Sequence, residues 1–431
     1  MQSDDVVSIG IAAMTSRGAG KAQAHLVVSE KSELEVEAGQ ISLLRTTVNA
    51  RLTLSAIADN RRGSITVNRV EREAVEEAAS QAAANAEAAQ PDPAHDIAPA
   101  QKPEAFGYGA REPDKAEMYD RTAAFLERAR QRYPKTRIEL SILDFTASHA
   151  TFANTNGVRY QSDTGVYDFF AMFTTKEGKK TSSFNYSGAV RRALGEPLES
   201  WGSVDELMRQ SVEQLDPGSV EGKFVGDLVI TPDCFADLLY YIDQVFLEDE
   251  PLIRGTSRFK DSLGKQVAAP VFSLRSSPVS PAIQAGYFFT PDGFRAEDSA
   301  LIEQGVLRGF NLSLYGSRKT GKPKPPNAGG CWVVDPGNQP VSNIIASVDR
   351  GILLCRFSGD TPSANGDFSG VAKNSYLISG GRIAHPVAET TIAGNLADLL
   401  LAISAVSSER VDFGNMLLPW VHAGGVTISG K

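Results

Sequence analysis

The sequence has few cysteines, and the three present in 431 residues, Cys234, Cys331 and Cys355, lie far apart. A small secreted scaffold held by disulfides needs an even, closely spaced set, so that class is excluded. A basic excess is missing too: 43 Lys and Arg stand against 52 Asp and Glu, a formal charge of -9. Nonspecific binding to a phosphate backbone draws most of its affinity from a cationic footprint, so no direct nucleic-acid contact is expected. Long apolar runs are lacking as well. The most apolar stretch, 396–406, is interrupted by Asp398 and falls far short of the roughly 20 residues that cross a bilayer. Asp4 and Asp5 stand where a secretory signal carries Lys or Arg. These absences lead to the expectation of a cytoplasmic chain with no membrane contact. At roughly 150 residues per domain, its length allows two or three domains.

What is present divides the chain into an N-terminal α+β module over residues 1–89, a linker over 90–113, a middle meander with helices over 114–223, and a C-terminal domain over 224–431. In the first module, 22–29 and 32–36 read as one hairpin or two successive strands. Segments 50–58 and 64–68 flank the turn-rich run Asp59-Asn60-Arg61-Arg62-Gly63, and 71–89 reads as a helix rich in Ala and Glu. Five prolines between 91 and 113, with few large apolar neighbours, mark the linker or a surface crossing. Next, 114–132 reads as a helix with Tyr119, Ala123, Leu126, Ala129 and Tyr133 near one face. Strand segments follow, punctuated by Asn156-Gly157, and Ser203-Val204-Asp205-Glu206 reads as a capping box. The third unit opens with a strand over 227–230, Thr231 as N-cap and Pro232 at the first helical position. Its helix is expected to run to about Glu248, burying Phe235, Leu238, Leu239, Ile242 and Phe246. A late helix over 396–406 is capped by Asn395.

Self-sufficient catalytic motifs are missing. There is no G-x-S-x-G elbow, no G-x-G-x-x-G fingerprint and no C-x-x-C, and no His is followed by Glu. Gly316 to Lys322 imitates a phosphate loop, but Pro323 stands where Ser or Thr must hold magnesium, so a Pro/Gly loop is the better reading. The histidines, His25, His95, His149, His385 and His422, form no pair on one element and read as surface or hydrogen-bonded structural groups. Glu248, Asp249 and Glu250 are placed at a helix end, where their charge opposes the dipole; a solvated helix end is the simple reading, and a site for a peptide amine the sharper one. Asp360, Asn365 and Asp367 share the composition of a calcium loop without its spacing. Phe169, Phe170 and Phe173 read as core.

Five segments, in order, carry a resemblance. They are Phe259-Lys260-Asp261-Ser262-Leu263-Gly264-Lys265-Gln266-Val267, Tyr315-Gly316-Ser317-Arg318-Lys319-Thr320-Gly321, Asn327-Ala328-Gly329-Gly330, Gly366-Asp367-Phe368-Ser369-Gly370, and the run from Pro386 to Asn395. Together they resemble the TldD/PmbA family, once called modulators of DNA gyrase. Gly39-Gln40-Ile41 and the helix at Glu71 are compatible, so the resemblance spans essentially the whole chain. It implies one of two branches. TldD-like chains carry an HExxxH helix whose two His, with a later Cys, bind zinc; TldE/PmbA-like chains lack these ligands and pair with the active subunit. The pair forms a metallopeptidase acting on peptides, including modified-peptide precursors and antitoxins.

Counting back from the segment 257–267 without gaps places the zinc-helix motif on 240–245. Tyr240 and Val245 then hold the ligand positions and Tyr241 the position of the water-activating Glu. Valine cannot coordinate, and a phenol is a poor substitute for imidazole toward zinc. No Cys follows Cys355, and residues 410–415 occupy the neighbourhood of the later ligand. The expectation is therefore a noncatalytic, zinc-free TldE/PmbA-like subunit with no cofactor, no metal and no catalytic residue of its own. Its partner would be a TldD-like chain or a second copy, with a peptide in the shared cavity. The alternatives are a homodimeric peptide-binding regulator linked indirectly to gyrase, or a hydrolase using Asp243, Glu248 or His385. The fold class is α+β: N-terminal strand-helix modules, then a mainly antiparallel, barrel-like domain with peripheral helices.

Overall fold

A computed structural model describes residues 2–430. The chain opens with helix α1 (Ser3–Ser16), which the sequence reading did not draw although Val6, Val7, Gly10, Ala13 and Met14 already repeat at helical spacing and are the buried residues. Strands β1 (Lys21–Glu37), β2 (Gln40–Ala58) and β3 (Arg61–Val67) follow. β1 is one continuous strand rather than two. Its polar middle, Ser29 to Ser32, lies between two paired neighbours that satisfy the backbone, so polarity there reports exposure and not a turn. Asp59 and Asn60 both take positive φ, 50° and 62°, in the β2–β3 turn, the conformation Asp and Asn tolerate best after Gly.

Helix α2 (Arg72–Ala88) turns an alanine face onto this sheet, with Val75, Ala78, Ala79, Ala82 and Ala86 buried. The approach is so close that a Cβ on Gly63 would lie 2.2 Å from the Ala82 carbonyl oxygen. The proline-rich stretch after it is packed down. Ala94, Ile97 and Ala98 are buried, Asp92 donates its N–H to the Asn60 carbonyl at 2.8 Å, and β4 (Glu104–Tyr108) pairs parallel with a strand of the middle region. Helix α3 (Lys115–Arg132) is capped by Asp114, which accepts from the Glu117 N–H at 2.9 Å. It buries Met118, Phe125, Leu126 and Ala129. Tyr119 is 54% exposed, so it lies off the face expected for it.

Strands β5 (Thr136–Asn154), β6 (Arg159–Glu177), β7 (Lys180–Thr181) and β8 (Asn185–Arg191) complete an eight-stranded sheet ordered β3-β2-β1-β5-β6-β4, with β7 and β8 both on β6. Every pairing is antiparallel except β4 on β6. The regions read as separate modules from the sequence thus share one sheet, because β1 pairs with β5 along fifteen positions in continuous register. Helix α4 (Val204–Glu213) begins at Ser203, but its hydroxyl makes no cap; Glu206 instead binds Arg209 and Gln210.

The second sheet has thirteen strands. β9 (Lys223–Ile230) lies at its centre, antiparallel to the long strand Leu417–Ser429 and parallel to Arg350–Leu354. Pairing is mainly antiparallel, with parallel steps at Arg350–Leu354 on β9 and at Val333 on Leu417. The expected barrel takes the form of an open path branching at Leu417–Ser429. The late helix ends at Leu401, and Ile403–Asp412 is strand. Ile403 and Val406 pair with Ala423 and Val421 there, and a partnered β-branched segment overrides local helical periodicity. The two sheets meet where the Val190 N–H donates to the Phe413 carbonyl at 2.9 Å. Gly414 has φ 84° at this contact, and a Cβ on it would lie 1.9 Å from the Val190 oxygen, so only glycine fits.

Candidate functional site

Thr231 and Pro232 lead from the central strand β9 directly into helix α5 (Pro232–Ile242), whose inner face buries Cys234, Phe235, Leu238, Leu239 and Ile242. The helix does not continue to Glu248 as an α-helix. Residues Asp243–Leu247 form a π-turn, closed by the Glu248 N–H on the Asp243 carbonyl at 3.2 Å. Such turns cluster at functional sites. After it, Asp249 and Glu250 open helix α6 (Asp249–Ile253). The acids expected at a helix C-terminus therefore sit at an N-terminus, where the dipole favours them.

The three positions counted back to the zinc motif do not converge. Tyr240 is 56% exposed and Val245 is 7% exposed, within the main core of the second sheet. Tyr241 is half-buried, its ring edge-on to Tyr240 with centroids 6.3 Å apart. Among the described residues no three His, Cys, Asp or Glu side chains are grouped as a metal centre requires. The residues at this helix do not fit a zinc ion. All three cysteines are free, and burial pushes the Cys331 thiol up to about 12.

The outward face of α5 borders a cleft of about 270 Å³ against the first sheet. β6 contributes Asp168 and Phe170, β8 contributes Tyr186 and Ser187, and α5 contributes Asp233 and Asp237. Arg356, 8% exposed, reaches across from the second sheet. Its guanidinium stacks 3.5 Å from the Tyr186 ring centroid, and Nη2 donates to the Tyr186 carbonyl at 2.9 Å and to Asn185 Oδ1 at 3.3 Å. Its Nε has no partner. The Ser187 hydroxyl donates to Asp233 at 2.8 Å. Burial raises the Asp233 carboxyl against that bond. It also raises Asp237, with Arg356 opposing. Asp168 is walled by protein although its carboxyl remains open to solvent; this enclosure and the facing Asp144 push it up to about 6, with Lys31 opposing.

The sequence reading missed this cleft. Strand alternation was the available signal: Phe169 and Phe173 are fully buried, whereas Asp168 and Phe170 belong to the other face. The helical spacing of Asp233 and Asp237 was the second.

Residues 222–430 match the family model of the PmbA/TldA metallopeptidase C-terminal domain. The chain carries a PmbA/TldD-family domain. It is 26% identical over 297 residues to the metalloprotease PmbA homolog of Haemophilus influenzae, covering 63% of this chain and 65% of that one. It is 30% identical over 173 residues to metalloprotease PmbA of Escherichia coli O157:H7, covering 38% of each. These matches span between about two fifths and two thirds of those curated relatives. Among solved structures, TldE from Thermococcus kodakarensis superposes with a TM-score of 0.83 at 21% identity, over 99% of both chains. A Bacteroides thetaiotaomicron protein described as a proposed modulator of DNA gyrase superposes at 0.87, also at 21% identity and over 99% of both chains. The fold is thus shared over the full length, and α5 with its π-turn lies within the PmbA/TldD domain.

A second cavity of the family domain, about 300 Å³, lies beyond the π-turn. Asp243, Glu248, Asp249, Asp292, Asn311 and Lys324 line it. Asn311 Nδ2 donates to Asp243. Burial pushes the Asp243 carboxyl up to about 7, with Glu248 adding to the effect and Asn311 opposing it. Asp249 accepts from the Ser313 N–H at 2.9 Å. His385 lies elsewhere, 3.4 Å from the Ser219 carbonyl, so Asp243, Glu248 and His385 are not brought together. The phosphate-loop mimic is the short helix Leu314–Thr320, its Arg318 and Lys319 engaged by Asp96 and Asp92. The other histidines have structural partners: His25 packs edge-on to Phe152 and Phe289, His95 stacks on Tyr315, His149 meets Asp163 at 2.8 Å, and His422 meets Ser404 at 2.9 Å.

Proposed function

We propose that this chain is the zinc-free, TldE/PmbA-like subunit of a cytoplasmic, two-subunit peptidase of its family, holding peptide while a TldD-like chain supplies the metal. One observation carries the reading. An ungapped count back from 257–267 sets the family's metal helix on Tyr240, Tyr241 and Val245, and Val245 is packed into the core. Elemental analysis of the purified chain tests it, together with hydrolysis assays on the chain alone and with a TldD-like partner. Well below one zinc per chain, no hydrolysis alone and a gain in partner activity are expected. One zinc per chain with hydrolysis by the chain alone overturns the reading, as does equal partner activity without it.

Self-association is the second reading, favoured by the outer edge of β2. Only Leu52 to Ala58 of that strand pair with β3, while Leu44 and Val48 are 55% and 65% exposed on the preceding stretch. A long unpaired edge with exposed apolar residues is a template for another strand. Light scattering on the chain with and without a TldD-like protein separates the two. A homodimer indifferent to that protein selects the second reading.

A further inference from the structure

We propose a second reactive site in this chain: the Ser404 hydroxyl, with His422 as its base and Asp227 behind it, hydrolyses small, activated carboxylic esters. The site lies on the outer face of the second sheet and goes beyond the subunit role.

Three neighbouring strands bring the groups together. His422 stands on Leu417–Ser429, with Ile403–Asp412 paired along one side and β9 along the other. Both pairings are bulged beside it. Ser404 is the extra residue where Ile403 pairs with Ala423 and Ala405 with His422. Gly424 and Gly425 together oppose Asp227, between the Ala423–Leu228 and Val426–Gly226 pairs. A bulge interrupts the ladder and re-aims a side chain, and bulges are common next to active sites. The first sets Ser404 Oγ 2.9 Å from His422 Nδ1. At the second, Asp227 Oδ2 lies 3.4 Å from His422 Nε2. That bulge needs glycine, because a Cβ on Gly424 would come within 2.9 Å of Asp227 Oδ1.

The order of contacts is the one an activated nucleophile needs. A carboxylate beside Nε2 favours the tautomer with its N–H there, so Nδ1 is left to accept from the serine. The same charge favours the imidazolium once the proton has moved. His422 is only 9% exposed, which holds the ring in place, whereas Ser404 is exposed and can meet a substrate. Gly425 is open too, with no atom within 4 Å of an added Cβ, so an acyl group can approach that backbone closely. Val225, two residues before Asp227 on the same face of β9 and 70% exposed, offers the acyl group an apolar neighbour.

In the reaction, Ser404 Oγ bonds to the ester carbonyl carbon while its proton passes to His422 Nδ1. The ester C–O bond then breaks, and the alcohol leaves with that proton. Water, deprotonated by the same nitrogen, releases the acid and restores the serine. The open sheet face limits the reaction to activated esters, because a peptide amide needs stronger support for its oxyanion. The chain alone therefore stays inactive on peptides.

The full chain is treated with a fluorophosphonate probe and mapped by mass spectrometry, and p-nitrophenyl acetate hydrolysis is followed with and without EDTA. One label per chain at Ser404 is expected, with turnover that EDTA leaves unchanged and Ser404→Ala lowers to the uncatalysed rate. His422→Gln should slow labelling and turnover about a hundredfold, and Asp227→Asn by a smaller factor. Circular dichroism confirms the fold of each variant, and the exposed Ser404→Ala decides alone where a buried variant fails to fold. No label at Ser404, turnover that survives Ser404→Ala, or labelling without turnover each overturns the proposal. So does a folded His422→Gln that reacts like the parent, which makes the histidine structural, or loss of turnover in EDTA. Zinc content and partner activation, which decide the subunit reading, do not depend on this result.

Discussion

Asp243 offers the sharpest test of the π-turn. Its carboxyl is 8% exposed, receives a hydrogen bond from Asn311, and titrates at about 7 against an ordinary 3.8. A carboxyl raised in the native state holds its proton after the unfolded chain has released it. Its contribution to stability is therefore complete below pH 3.8, declines as pH rises and is lost by the time pH passes 7. The gap of about three pH units sets a ceiling of about 4 kcal/mol, of which about 3 kcal/mol falls between pH 5 and 8. Relaxation around the ionised group brings the measurable part nearer 1–2 kcal/mol. Asp243→Asn keeps an acceptor for Asn311 and never ionises. Urea unfolding of both proteins at pH 5, 6, 7 and 8 should show the variant gaining on the parent by that amount as pH rises. Other titrating groups are common to both proteins and cancel in the difference. A difference that stays flat from pH 5 to 8 refutes the reasoning.

Four further outcomes are expected. Gly63→Ala should cost about 1–3 kcal/mol in unfolding experiments, because its Cβ meets α2 backbone that cannot rotate aside. His25 is held down to about 4 by burial and by Arg51, so the native state refuses a proton that the unfolded chain accepts below about 6.5. Stability should fall as pH drops from 6.5 to 4, by up to about 3 kcal/mol more than in His25→Phe, which urea midpoints across that range will read. Asn395 caps the helix Leu396–Leu401 through the Ala397 and Asp398 N–H groups and donates to the Asn365 carbonyl. Asn395→Ala should therefore cost about 1–2 kcal/mol, measured as a lowered thermal midpoint. Tyr240→His combined with Val245→His should bind no stoichiometric zinc in a competition titration, since position 245 lies in the core; tight one-to-one binding would show that the two positions do converge.

Much of the fold was legible because its signals are local. The run from Asp59 to Gly63 predicted a turn, Pro232 a first helical position and Asn395 a cap, and each depends on groups within a few residues. What stayed hidden depends on distant partners. β1 and β5 are uninterrupted across polar stretches only because a neighbour lies on each side. The prolines of 91–113 suggested a loose crossing, yet Asp92 and Asp96 tie it to Lys319, Arg318 and Lys21, residues far away in the chain. Val245 extends the apolar stripe of a helix in the sequence, which agreed with its burial. The switch from α to π geometry two residues earlier left no composition signal.

The cleft was harder to find, for a reason that bears on its use. Local rules describe residues whose needs are met nearby, and Asp168, Asp237 and Arg356 break those rules. A strand aspartate beside another acid, a helix aspartate that Arg356 opposes without a direct bond, and a buried guanidinium with an orphan donor each reduce stability where they stand. Elsewhere the same chain pairs its acids closely, as with Glu33 to Lys31 and Arg45, Asp205 to Arg132, and Glu206 to Arg209. Folding alone gains nothing from leaving two carboxylates without a hydrogen bond in one small cavity.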